Sequence, residues 1–320
     1  MDKKEFYEIV KNKLPNICQI VCYKDYQKIY SETWNNYAKD DAVHIMSVTK
    51  SIVSLLIGIC INQGLIQSID DKILDYFPNY KVKRGGKTIY DVTIRHMMSM
   101  KGPLKCKYDP WTKVCSSDDW TKASLDFIRG QKGFIDKFRY NTVCLHVLTG
   151  IISKVSHIKV VEFANQYLFE PLNIVRHHHY LAKTAQEHKE FTISKTPKAP
   201  IWFGDPQGVG TAGYDLCMSA SKLVKIGLLC LNKGIYNQKQ IVSKKWIEQM
   251  TEETQITDGN FRNMSYGLLW WIIDAKKGIY AAIGNSGNVI YINQTHQFVC
   301  GITGYFKPTV FDRIDFIQEY

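Results

Sequence analysis

A serine followed three residues later by a lysine, Ser47 and Lys50 in "SVTK", opens a stretch that carries no other acidic or basic side chain as far as Gly64. On a helix the two side chains share a face. A serine hydroxyl is a weak nucleophile until a base takes its proton, and a lysine amine can be that base once burial lowers its pKa. The apolar run from Val48 to Gln63 supplies the dry setting this requires, and Ser47 at its head would sit where a helix dipole favours a developing oxyanion. Spacing alone leaves a second reading open, a helix cap followed by a lysine that snorkels to water.

The same spacing recurs at Ser156/Lys159 and Ser219/Lys222. Ser156 ends a helical pattern beside a solvated lysine, and Ser219 reads as the cap of a surface helix with Lys222 and Lys225 exposed together. "RHHHY", Arg176 to Tyr180, reads as an exposed loop, because three consecutive imidazoles on a regular element cannot all face one metal ion. "GDPQGVGTAG" does not follow a strand in a βαβ unit, so a dinucleotide site is not expected there.

These residues need elements to hold them. Asp2 to Lys13 has helical spacing and stops before Pro15, and "ICQIVCY" with "QKIYSETW" forms a hairpin pattern. Val48 to Gln63 is apolar all round, as in a buried helix, with Gly64 as its cap. Helical patterns follow at Thr93–Met100, Leu145–Val155, Val160–Phe169 and Ala220–Asn232, and another starts at Ser243. "GIYAAIG", "NVIYIN" and "QFVCGIT" then read as strands, and "VFDRIDFIQEY" as an amphipathic helix. The expected fold class is α+β: an antiparallel β-sheet built from both chain ends and flanked by helices, residues 1–72 and 205–320, with a mostly helical inserted domain at 73–204.

The 320 residues are 45% hydrophobic, enough for a substantial core. A formal charge of +11 could suit a polyanion, but the densest basic stretch, "KVKRGGK", is short and lacks aromatics, so no nucleic-acid partner is expected. Nine cysteines, an odd number without Cys-x-x-Cys spacing, read as reduced thiols. Cys18 and Cys22 share one face of their strand as small buried hydrophobes. No run approaches a membrane span and the N-terminus has no signal core, so a cytoplasmic protein without a membrane partner is expected.

"MSVTKSIVSLLIGICINQGLIQSIDDKILDYFPNY", "TIRHMMSM", "FRYNTVCLHVLTGIISKVS", "GTAGYDLCMSASKLVKIGLLCLNKG", "YGLLWW" and "GNSGNVIYI" resemble, in order, segments of the serine β-lactamase-like superfamily. That group includes class C β-lactamases, penicillin-binding carboxypeptidases, esterases and 6-aminohexanoate-dimer hydrolases. The resemblance implies a β-lactamase/transpeptidase-like fold with Ser47 as nucleophile and Lys50 as its base. Tyr140 matches the tyrosine of the family's Tyr-x-Asn motif, which passes a proton between serine and leaving group. Asn141 and Thr142 would contact the substrate amide, and His146 matches a histidine of the dimer-hydrolase group.

The third motif corresponds to Asn285-Ser286-Gly287, which would line the site opposite the serine. Gly287 would allow a close backbone approach, and the Asn288 amide would join the Ser47 amide in an oxyanion hole. Asn285 replaces a residue that is commonly cationic, which weakens the case for carboxylate-bearing β-lactams and cell-wall peptides. The implied activity is that of a serine hydrolase cleaving a small-molecule amide or ester through an acyl-enzyme, without metal or cofactor. A β-lactamase or D,D-peptidase-like enzyme and a catalytically silent binding protein on the same fold are the alternatives. Substrate and oligomeric state are not legible.

Overall fold

The computed structural model describes residues 2–129, 135–252, 255–257, 261–262 and 264–320. Its frame is an antiparallel sheet of eight strands: β1 (Ile17–Lys24), β2 (Gln27–Thr33), β3 (Gln255–Ile256), β4 (Ser265–Tyr266), β5 (Trp271–Asp274), β6 (Ile279–Gly284), β7 (Asn288–Asn293) and β8 (Phe298–Gly304). Their order is β2-β1-β8-β7-β6-β5-β4-β3, so the first strand pairs with the last and the sheet joins both ends of the chain. The β1–β2 hairpin turns through Asp25 and Tyr26, at φ 49° and 62°. Two left-handed residues match the right-handed twist of the flanking strands.

Helices cover both faces, which is why every residue of β6 and β7 is buried. Helix α1 (Lys3–Lys13) and the last helix lie over one face, where Phe6 stacks on Phe316 and packs edge-on to Tyr30. The helix Ala220–Leu231 lies over β7 and β8, with Gly227 against Val299 and Ile290. Helix α2 (Val48–Asn62) is buried at every position from Val48 to Cys60, and it packs on β6 and on helix α3 (His146–Ser156). A single buried apolar cluster runs from the sheet through α2 into the middle of the chain.

The middle section departs from the expected pattern in places. The helix expected over Val160–Phe169 changes pitch at Asn165 into a wider turn. His178–Tyr180 and Ile201–Phe203 form a short parallel strand pair. "RHHHY" is therefore not simply an exposed loop: His177 is buried with its ring nitrogens 2.9 Å from Val175 O and Cys217 O, while His178 is exposed. His177 lies just before the strand, and its backbone N–H, which donates to Asn165 Oδ1, and the two carbonyls at its ring hold it inward.

Cys18 and Cys22 also part company. A bulge in the β1–β8 pairing between Ile17 and Gln19 shifts the register, placing Cys18 with Tyr37 and Val43 and Cys22 beside Cys300. Ser219 precedes its helix without a side-chain cap bond, and Lys222 is half-buried in an ion pair with Asp40 rather than free in solvent. Among the described residues no single helix is long and apolar enough to cross a membrane.

Candidate active site

Ser47 stands at the first turn of α2, reached through Met46, whose φ of 51° is unusual for a side chain of that size. This bend turns the chain from the short strand Val43–His44 into the helix and leaves Ser47 partly accessible at the mouth. One turn on, Lys50 is 1% exposed. Its Nζ lies 2.8 Å from Ser47 Oγ, 2.7 Å from Gly213 O and 3.3 Å from Thr142 Oγ1. None of these neighbours is a carboxylate. Burial accordingly pushes the amine down to about 7, with the Asp109 charge opposing part of the fall.

Tyr140 closes the other side. Its hydroxyl lies close enough to the Ser47 side chain for that group to favour the phenolate slightly, and Lys50 Nζ is 5.0 Å from the ring centroid. Burial pushes the phenol up, so it is a protonated donor at neutral pH. An aromatic shell of Trp271, Phe261 and Tyr266 packs around the ring and fixes its direction. Thr142 sits on the cavity wall, and its backbone N–H donates to Asp109 at 3.0 Å. Asn141 does not face the cavity: it is 3% exposed, with its amide nitrogen 3.6 Å from Met100 Sδ.

The third motif divides in the same way. The backbone facing Ser47 belongs to Gly284 and Asn285. A Cβ on Gly284 would come 2.3 Å from Ile45 O and 3.1 Å from Ser47 N, so only glycine lets strand β6 approach Ser47 this closely. Asn285 lines the cavity. The chain then reverses through Ser286, in the left-handed region at φ 73°, and Ser286, Gly287 and Asn288 leave the wall. Ser286 is fully buried, donates its N–H to Val310 O and accepts from Lys307 N; Gly287 lies against Arg313. Asn288 starts β7 and is fully buried, its side chain accepting from Gly304 N and donating to Asn285 O. Asn285 thus lines the cavity and Asn288 does not, while the backbone at Gly284 is the part of the motif packed against Ser47 N.

Several residues of the site were not singled out in the sequence. Gly213, in the loop after "GVGTAG" begins, offers its carbonyl to Lys50, and a Cβ there would strike Thr142 O at 2.7 Å. Asp215 is fully buried and receives His44 Nε2 at 2.5 Å and His188 Nε2 at 2.7 Å, tying the strand before Ser47 to helix α4 (Ala185–Ile193). Burial pushes this carboxyl up, but the two imidazoles outweigh that and hold it low. His188 is pushed down by burial and more strongly up by Asp215, so its net shift is upward. His146 accepts from Ala212 N at 3.1 Å through Nδ1, and burial pushes it down to about 3, so it is neutral.

The cavity above Ser47 measures about 500 Å³. Trp111, Tyr140, Tyr214, Phe306 and Phe311 line its wall together with His44 and His188, and among the described residues no lysine or arginine does. A hydroxyl in contact with a buried amine, a phenol close to that hydroxyl and adjoining backbone amides together suit nucleophilic attack on a carbonyl.

Comparison with known proteins bears on the family and the fold. The chain is 23% identical over 281 residues to the 6-aminohexanoate-dimer hydrolase of Paenarthrobacter ureafaciens, covering 80% of this chain and 64% of that one. It therefore spans just under two thirds of that relative. Among solved structures, EstCE1, a hydrolase with promiscuous acyltransferase activity, superposes with a TM-score of 0.69 at 12% identity, over 94% of this chain and 92% of its own. A D-stereospecific amidohydrolase from Streptomyces sp. gives 0.69 at 13% identity, over 99% and 98%. These likenesses confirm the mixed architecture with its large antiparallel sheet. The β-lactamase family model matches residues 19–309, nearly the whole chain, and the protein belongs to that family.

Proposed function

We propose that this protein is a serine hydrolase that opens an amide or ester of a small molecule through an acyl-enzyme on Ser47. The observation that carries the reading is the 2.8 Å contact between Ser47 Oγ and a lysine amine that burial brings down to about 7. Such an amine is partly neutral at physiological pH and can take the serine proton as the oxygen attacks the carbonyl carbon. The carbonyl oxygen becomes an oxyanion beside the Ser47 and Asn285 backbone N–H groups. Tyr140, still protonated, gives its proton to the leaving nitrogen or oxygen and recovers one from Lys50. Water then attacks the acyl-enzyme with the same groups working in reverse.

The wall chemistry narrows the substrate. Aromatic rings with no lysine or arginine among them favour an uncharged acyl group of modest size, such as a short alkyl or aryl acid. A carboxylate next to the scissile bond would find no guanidinium or ammonium partner among the described residues of this wall, which disfavours β-lactams.

A fluorophosphonate probe followed by intact-mass measurement tests the nucleophile. One adduct on the wild type and none on Ser47→Ala is the expected result. Equal labelling of both, or none on the wild type under conditions that label a control hydrolase, would count against the reading.

A further inference from the structure

On the sheet face under α1, one rung of the ladder places Tyr30, Cys22, Cys300 and Tyr291 side by side across β2, β1, β8 and β7. Cys22 and Cys300 are direct partners, and their sulfurs are 3.2 Å apart, inside ordinary van der Waals contact. The rung type permits this closeness. Asp25 N donates to Gln297 O, so hydrogen-bonded rungs fall at 25/297, 23/299 and 21/301, and the 22/300 rung between the last two is the non-hydrogen-bonded kind, in which opposed side chains approach most closely.

The two thiols also have an approach. They line a cavity of about 300 Å³ between the sheet and the terminal helices, walled by Phe6, Ile20, Phe316 and Ile317. Tyr30 lines the same cavity, and its buried hydroxyl has no hydrogen-bond partner among the described residues. The cavity, which Asp2 and Lys3 also line, has room for an oxidant of nearly water size.

We infer that Cys22 and Cys300 form a redox site in which hydrogen peroxide converts the cross-strand dithiol to a disulfide joining the first and last strands of the sheet. Cys22 is the more exposed residue of the two, at 9% against 3%. It attacks one peroxide oxygen, the O–O bond breaks, and the departing oxygen leaves as water, giving a sulfenic acid on Cys22. The unpartnered Tyr30 hydroxyl is placed to donate a hydrogen bond to that oxygen. Cys300 sulfur then attacks Cys22 sulfur, the S–S bond forms and the second water leaves. The two thiols lose two electrons and two protons, and one peroxide becomes two waters. The product closes a loop holding Ser47, Lys50 and Tyr140, so it stabilises the folded chain by restricting the unfolded one while leaving the cleft untouched.

The inference is independent of the hydrolase reading and is tested on the full chain. Protein treated with hydrogen peroxide and protein kept in dithiothreitol are each alkylated in denaturant and peptide-mapped, and their Tm values are compared. The expected result is a Cys22–Cys300 linked peptide and a Tm about 5 °C higher than in the reduced sample. Cys22→Ala and Cys300→Ala should each abolish the difference between oxidised and reduced samples, and Cys106→Ala should keep it. Linkage of Cys106 to Cys144 instead, oxidation confined to the half-buried Cys106 and Cys115, or a Tm difference that survives in Cys22→Ala would each overturn it. Because each variant is compared with its own reduced form, a loss of basal stability does not obscure the outcome.

Discussion

The amine of Lys50 touches the hydroxyl of Ser47 from within the protein, one helical turn below it, without a carboxylate to hold its charge. A lysine placed this way titrates near neutrality, and the acylation rate should follow it. For a neutral ester, kcat/KM is expected to rise with pH through about 7 and then level off. Lys50→Arg, which stays charged, should lose at least about 100-fold in kcat/KM at pH 7.5. A flat profile from pH 5 to 9 would remove Lys50 as the base.

Asp109 sets where that limb falls. Its charge raises the Lys50 pKa, so Asp109→Asn should move the acid limb to lower pH while the amide oxygen still accepts from Thr142 N. The midpoints of the two pH profiles, fitted with the same substrate, check this. A shift to higher pH contradicts the assigned sign.

Burying Lys50 costs stability, and the sign of the pH dependence follows. Its folded pKa lies near 7 against 10.5 when free, so the unfolded chain binds the extra proton between those values. The cost is full below pH 7 and fades towards pH 10.5. Lys50→Met should therefore be inactive yet more stable than the wild type at pH 7, by on the order of 2 kcal/mol, with the advantage shrinking as pH rises. Urea denaturation at pH 7 and pH 10 compares the pair.

The Asp215 bridge behaves oppositely. His188 has a raised folded pKa, so its contribution is complete below its free value of 6.5 and is lost as pH rises through the folded value. The stability difference between wild type and His188→Gln should be largest near pH 6 and shrink towards pH 8.5. Thermal melts at both pH values measure it; a difference that grows with pH contradicts the pairing.

Gly284 has no room for a side chain. Gly284→Ala would drive a methyl group into Ile45 O and Ser47 N, so kcat should fall by about 100-fold or more with a smaller change in KM. A variant that keeps wild-type kcat would show that the nucleophile tolerates displacement.

The parts of the site legible in the sequence are the local ones. Ser47 and Lys50 are three residues apart on one helix, and the apolar run after them announces the burial that lowers the amine. Tyr140 was reached only through resemblance, since nothing local distinguishes it from the other tyrosines. The departure of Asn288 from the cavity lining comes from the turn at 285–287: a left-handed Ser286 is not a residue type that advertises itself, and three residues carry the chain from the cleft wall to the start of the next strand. Gly213, Asp109 and the His44–Asp215–His188 bridge depend on loops brought together from distant positions, and no periodicity encodes such meetings. The sheet was readable because strands at both ends of a chain whose middle is helical have little choice but to pair.

That pairing bears on how the protein is made. The nucleophile and its lysine emerge from the ribosome long before Gly284 and the strands beside it. Until then the Lys50 side chain has no sheet to shield it, keeps its proton, and leaves Ser47 unactivated. On the proposed reading, reactivity is thus withheld from the nascent chain and switched on only when its distal third docks.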